Sequence, residues 1–455
     1  MKGFRLAELK YLVLLVLLML GVAAMTGRLQ PHYVDDTPSY LDYPLDSMDA
    51  AMRSIRTPGY PLILASLSSL IGIAAVAWFQ ILLHCVAAWW LGVELCRWGT
   101  RRASAIAAAL AVAFGCTFMD HVSTIATDAP AASIGVMTAV AMMRWVRLGQ
   151  AASAAMVVAC LSVLAISLRP AYLALAPWTL ICGACFRFAP VSRDKITAKF
   201  GWLVAPIAIT SAIVAWVILR GLTVGDFGVL PFGHQNLAGI TIQLASDEEL
   251  LAFDGEPGKL IAETLRQRDA RIAEGLRFTD GDPFATMTIE GRWNDLIYQA
   301  VVPASRAIHG DDTIVNHNAI AAMNKVVIRR YPMRYLRWLV LAARRAAWAS
   351  AADVVMHPLF LAGIGLAILW EAIRVLVGFR FIPNASDNGL AVLFIVGFSY
   401  FAIQIGFVIL TSPPLGRFAD AVAILIPAWI AAKVIQHFQE TPSVVTTVAT
   451  TKPAD

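Results

Sequence analysis

Charge is what this chain has least of. Asp, Glu, Lys and Arg make up 15% of its 455 residues, where soluble domains carry about a quarter. That scarcity excludes an ordinary water-soluble globular protein. The net charge of +5 says little about nucleic acid, which is not expected as a partner; it reads as a topology signal. Alternating polar and apolar strands are missing, which argues against a β-barrel. Cysteine is sparse and badly placed for a disulfide framework. The six (Cys85, Cys96, Cys116, Cys160, Cys182 and Cys185) all lie in or beside apolar blocks. Cys182-x-x-Cys185 has the spacing of a redox or metal pair, but it sits at the end of an apolar block without partner ligands. A GxxxxGK[ST] loop, an HExxH pair and a dinucleotide fingerprint are all absent. A cytoplasmic enzyme using a nucleotide-linked sugar is therefore disfavoured. No internal repeat is evident.

Hydrocarbon-compatible sequence is what the chain has in abundance: 58% of residues are hydrophobic and the mean hydropathy is +0.67. Ten apolar blocks are expected to span, at about 11–25, 71–96 (with 61–69 as an apolar lead-in), 103–119, 126–145, 152–168, 171–186, 200–219, 354–377, 390–410 and 419–435. Helices satisfy their own backbone groups in lipid, so the fold class expected is an all-α polytopic membrane protein. Lys2, Arg5 and Lys10 before the first block resemble a signal peptide, but no small-residue cleavage site follows, and the block reads as a retained first helix.

Basic residues set the orientation. Arg97/Arg101/Arg102, Arg144/Arg147, Arg187/Arg193/Lys195/Lys199 and Arg374/Arg380 fall in loops on the same side as Lys2, Arg5 and Lys10. That side is cytoplasmic, and both termini lie there. Loop 27–60, the 120–128 loop, Arg169, the polar segment after the seventh block and residues 412–417 then share the outer face. The domains expected are a transmembrane module (1–219), an outer-face, mainly helical cap with an interfacial helix (220–350), the last transmembrane helices (351–438) and a disordered cytoplasmic tail (439–455). Within the cap, helix-like runs occur at 247–253, 259–276 and 316–330, and an interfacial helix at 335–350.

Chemistry-bearing residues collect on that outer face. Asp35-Asp36 are adjacent carboxylates, and such a group is suited to act as general base toward a hydroxyl; the bland alternative is a solvated acidic loop. Arg56-Thr57-Pro58-Gly59-Tyr60-Pro61 fixes a rigid entry to the second span, with an Arg that can fork onto a phosphate. Asp120 and Asp128 lie together at the outer end of the fourth span, where an Asp at a helix N-terminus is also simply favoured by the dipole. Arg169-Pro170 sits at a tight re-entry, facing a phosphate or snorkelling to the interface. His234 and Asn236 lie in a Gly- and Pro-rich loop at the start of the cap, and Arg417 lies before the last span.

Asp36-Thr37-Pro38-Ser39-Tyr40-Leu41, followed by Arg56-Thr57-Pro58-Gly59-Tyr60-Pro61-Leu62, resembles the first outer loop of GT-C superfamily glycosyltransferases. The bacterial members in question are related to the dolichyl-phosphate-mannose protein mannosyltransferases and the lipid A aminoarabinose transferases. The resemblance implies an active site on the outer face of the inner membrane, a polyprenyl-phosphate-linked sugar as donor, and inversion at the sugar. It implies Asp36 as the catalytic base, with Asp35 as the fallback. Thr127-Asp128 matches a second acidic position that orients the acceptor or a divalent cation (Mg2+ or Mn2+), with Asp120 beside it; a metal requirement stays open. Arg56, Arg169 or Arg417 would hold the phosphate, and Tyr40, Tyr60, His234 and Asn236 would contact substrate. Tyr331-Pro-Met-Arg-Tyr335-Leu resembles an architectural element after the cap. The acceptor implied is a glycan, lipid or protein of the cell envelope. Two rivals remain: a Wzy-like polysaccharide polymerase leaning on outer-loop arginines, and a transporter or flippase, which would place ionisable residues at mid-membrane in two related halves.

Overall fold

The computed structural model describes residues 6–188, 200–356, 387–414 and 416–439, with single helical positions between 362 and 369. The expected eighth span beyond Met356, the basic positions from Arg193 to Lys199 and from Arg374 to Arg380, and the tail after Gln439 lie outside the described residues.

Among the described residues the architecture is all-helical; extended backbone pairs only at a parallel bridge between His32 and Thr124. In chain order the first half runs α1 (Leu6–Met25), α2 (Thr37–Leu41), α3 (Met48–Arg53), α4 (Gly59–Leu70), α5 (Ala75–Arg97), α6 (Arg102–Ala113) with a π-helical turn at Thr117–His121, α7 (Asp128–Arg147), α8 (Ala152–Leu168), a 3₁₀ turn at Pro170–Ala174, α9 (Leu175–Phe188) and α10 (Gly201–Val224). Among the described residues five helices are long and apolar enough to cross a bilayer: α5, Arg102–His121, α7, α10 and Asn388–Ile409, the last being α18. Leu9–Met25, Gly59–Leu70 and Ala152–Leu168 are apolar but shorter.

Two expected blocks are subdivided. The lead-in to the second span is a helix of its own, α4, which ends at Ile71; Gly72 then turns at φ +90, a conformation that glycine adopts without steric cost. The last block breaks into α19 (Gly416–Ala423) and α20 (Leu425–Gln439). At the centre of the bundle α7 is buried on nearly every side, packed by α5, α8 and α18. Its five alanines, with Ser133 and Gly135, let neighbours approach closely, so that Gly135 lies directly under Tyr172 and Tyr400.

Residues 234–330 form a helical unit: α11 (His234–Thr241), α12 (Asp247–Leu251), α13 (Gly255–Ala273), α14 (Thr286–Asp295), a π turn at Leu296–Val301, α15 (Val302–His309) and α16 (Thr313–Arg330). It has a small apolar core of its own, including Leu250, Ile261, Leu296, Met323 and Val327. The expected runs correspond to α12, α13 and α16. Pro332 then opens α17 (Pro332–Met356), a favoured position for proline. α17 fastens this unit to the bundle. Arg334 forks onto Glu249 at 2.7 and 2.9 Å, while Tyr335 Oη donates to the Leu410 carbonyl at 2.6 Å and Trp338 Nε1 to that of Ile409 at 3.2 Å. The Tyr331–Leu336 element thus works as a clasp.

Candidate functional site

The opening loop is stitched to the segment before α7. His32 N–H donates to the Ser123 carbonyl at 2.8 Å, and Ile125 N–H donates back to His32 at 2.8 Å. Thr37 Oγ1 accepts from Val34 N–H and donates to the Ile125 carbonyl, both at 2.9 Å. Pro38 in the first turn of α2 sets a helical φ at once. These contacts bring Asp36 to the same wall as Asp128, although they are far apart in sequence.

Arg56 organises the loop. Its Nη2 meets Asp36 Oδ1 at 2.6 Å, its Nε donates to Ser39 Oγ at 2.8 Å, and its Nη1 donates to Tyr40 Oη at 3.1 Å. Ser39 Oγ in turn donates to the Asp36 carbonyl at 2.6 Å. The guanidinium also lies 4.5 Å from the Tyr40 ring centroid, a cation–π distance. Burial pushes the Tyr40 phenol up, partly offset by Arg56, so Tyr40 remains a hydroxyl; its oxygen lies 3.4 Å from Thr127 Oγ1. Tyr60 packs edge-on against Tyr40 at 5.2 Å.

A second pair stands opposite. Asp128 opens α7, where the helix dipole favours a carboxylate. Arg169 follows α8 with extended backbone (φ −147, ψ 116), as expected before a proline, and this carries its side chain out of the helix line onto Asp128. The two form a short ion pair with each side chain only 11% exposed. The Arg169 guanidinium also sits 5.1 Å from the Phe418 ring centroid.

Both pairs face one cavity of about 390 Å³. Its floor is Asp36, Tyr40, Arg56, Thr127, Asp128 and Arg169; its roof includes Phe232, His234, Asn236, Asn294, Tyr298 and His317; Phe407 and Phe418 close one side. Gly233 (φ +95) precedes α11 and directs the chain into the roof. The His234 and His317 rings lie against each other, centroids 4.5 Å apart and planes tilted by 39°. Burial lowers both, and with His234 beside it His317 falls to about 4.

The chain is similar to ArnT from Cupriavidus metallidurans. That crystal structure, in the apo state, overlays with a TM-score of 0.35 at 14% identity, covering 92% of this chain and 75% of that one. No family model matches the chain, and no curated protein does.

Of the residues singled out from sequence, Asp36, Tyr40, Arg56, Asp128, Arg169, His234 and Asn236 line the cavity. Asp35 and Asp120 are exposed and outside its lining. Tyr60 is buried behind Tyr40. Arg417 belongs to α19, but its side chain lies outside the described residues. Sequence reasoning missed His317, Trp293 and Tyr298, whose only signal was polar and aromatic character on helices of the cap. Among the described residues no three His, Cys, Asp or Glu side chains converge. The two cavity carboxylates, Asp36 and Asp128, are each paired with an arginine.

Proposed function

We propose that this chain is an integral-membrane glycosyltransferase of the bacterial inner membrane. It would move a sugar, with inversion, from a polyprenyl-phosphate-linked donor to a glycan, lipid or protein acceptor on the outer face. The observation that carries the reading is the pairing of Asp36 with Arg56 and of Asp128 with Arg169 across one cavity between apolar helices and a polar roof. Asp36 accepts the proton of the acceptor hydroxyl. That oxygen bonds to the anomeric carbon as the bond from carbon to the phosphate oxygen breaks, and the electron pair leaves with the phosphate. Attack from the face opposite the phosphate inverts the centre, by the same logic as inverting glycoside hydrolysis. Arg169 meets the charge growing on the leaving phosphate. Arg56 holds Asp36 in place and lends a second positive charge. Asp128 orients Arg169. Phosphate leaves readily without protonation, so a single carboxylate base is sufficient chemistry.

The test is turnover of a polyprenyl-phosphate sugar by purified full-length protein. Asp36→Asn is expected to lose about 10²–10⁴-fold, the usual worth of a general base. Asp35→Asn, altered at the exposed neighbour, is expected to stay close to wild type. Wild-type turnover by Asp36→Asn would remove the assignment.

A further inference from the structure

We propose that the roof of the cavity is the acceptor subsite and that it selects an uncharged carbohydrate. This deepens, and rests on, the glycosyltransferase reading. Among the described residues, those that the cap contributes to the lining include no Lys, Arg, Asp or Glu; the charged side chains of the cavity all belong to its floor. The roof instead offers aromatic rings and neutral hydrogen-bonding groups: Phe232 and Tyr298 beside His234, Asn236, Asn294 and His317. A pyranose presents both an apolar C–H face and a rim of hydroxyls, and such a wall matches both. A phosphorylated or uronic-acid acceptor would find no cation among the roof's own side chains, and Arg56, 6.0 Å from the Phe232 ring centroid, is already bound to Asp36.

The roof is also held in place. Asn324 Nδ2 donates to the His234 carbonyl at 2.7 Å and Trp293 Nε1 to that of Asn236 at 2.8 Å, while Asn236 Nδ2 reaches Ser412 Oγ at 3.5 Å. The two imidazoles lie against each other, tilted by 39°, in the cavity lining. A neutral imidazole carries one donor and one acceptor nitrogen, which suits a hydroxyl that does both.

Direct binding tests this apart from turnover. Full-length protein in nanodiscs is titrated by calorimetry with neutral trisaccharides of mannose, galactose and rhamnose, and with glucuronate-containing and phosphorylated counterparts. At least one neutral trisaccharide is expected to bind saturably. His317→Ala is expected to weaken it about tenfold, the worth of one good hydrogen bond, His317→Gln to recover part of that, and Glu256→Gln, at the exposed first turn of α13, to leave it unchanged. Neutral binding indifferent to His317, binding of the anionic probes alone, or no binding by any probe overturns the proposal. Transfer to an anionic or peptide acceptor alone would overturn the subsite while leaving the transferase standing. Neutral binding that depends on His317, in a protein that transfers nothing, would leave the subsite and remove the transferase.

Discussion

Arg56 makes three different contacts within one turn of chain, and that is what separates it from a generic interfacial cation. Its fork reaches a carboxylate, a serine and a tyrosine at once. Lysine keeps the charge but offers one nitrogen in place of the planar fork. Arg56→Lys is therefore expected to lower turnover about 10–100-fold, since each lost bond to a charged group is worth roughly 1.5–3 kcal/mol, with steady-state kinetics as the measurement. Unchanged kinetics would mean that charge alone suffices there. His317 makes a separate prediction. Its folded pKa lies at about 4, below the ordinary 6.5, because of burial first and then His234 and Arg220, opposed by Asp226. A depressed histidine is neutral in both states at neutral pH. As pH falls below 6.5 the unfolded chain takes up the proton and the folded one does not, so stability drops toward pH 4. Thermal melts at pH 7 and pH 5 should show a larger fall for wild type than for His317→Gln. The Asp36 motif was legible because its residues are close in sequence. The Arg56–Asp36 bond was not, because it depends on how α2 and α3 fold the loop back. His317 was invisible as a site residue because the ring it packs against, His234, lies on a helix far upstream.

Among the elements, α4 and the end of α8 approach most tightly where the site needs them fixed. A Cβ on Gly59 would lie 2.5 Å from the Ser167 carbonyl oxygen, and Thr57 Oγ1 donates to the Leu168 carbonyl at 3.3 Å beside it. The clash is with backbone, so α4 or α8 must move, and with them Arg56 or Arg169. Gly59→Ala is expected to cost about 1–3 kcal/mol, typical of overpacking, and to lower turnover as well; Gly21→Ala in α1, with nothing within 4 Å, should do neither. Melting temperature and turnover measured together on the two variants check this, and equal behaviour would refute it. Hydropathy located the long helices because twenty apolar residues have few other ways to be read. It did not foresee α4 as a separate helix, nor α11, α14 and α15, which are short and mixed in polarity and owe their helicity to packing in the cap.

At the scale of the whole molecule, the distribution of Lys and Arg predicts that the candidate residues share one face, but not which of them meet. Hydropathy and charge order positions along the membrane normal and say nothing about position around it. Asp35 and Asp120 were grouped with Asp36 and Asp128 on that basis, yet only the latter two reach the cavity. Arg220, a fully buried cation at the end of α10, ties that helix to the opening loop and to the segment leading into the cap. Its Nε donates to the Met52 carbonyl of α3 at 3.0 Å, its Nη1 to the Gly228 carbonyl at 2.7 Å, and its Nη2 lies 2.9 Å from Asp226. Removing the cation alone strands an Asp226 side chain that is only 11% exposed, and breaking a buried pair in this way costs about 3–5 kcal/mol. Replacing both partners leaves no stranded charge. Arg220→Met should therefore destabilise the protein more than the Arg220→Met, Asp226→Leu double variant, and should open the chain between α10 and α11 to limited proteolysis. Thermal unfolding and cleavage rates of the two variants measure this. If the single variant proved as stable and as protected as the double, Arg220 would be a passenger rather than the tether between α3, the end of α10 and the segment that follows it.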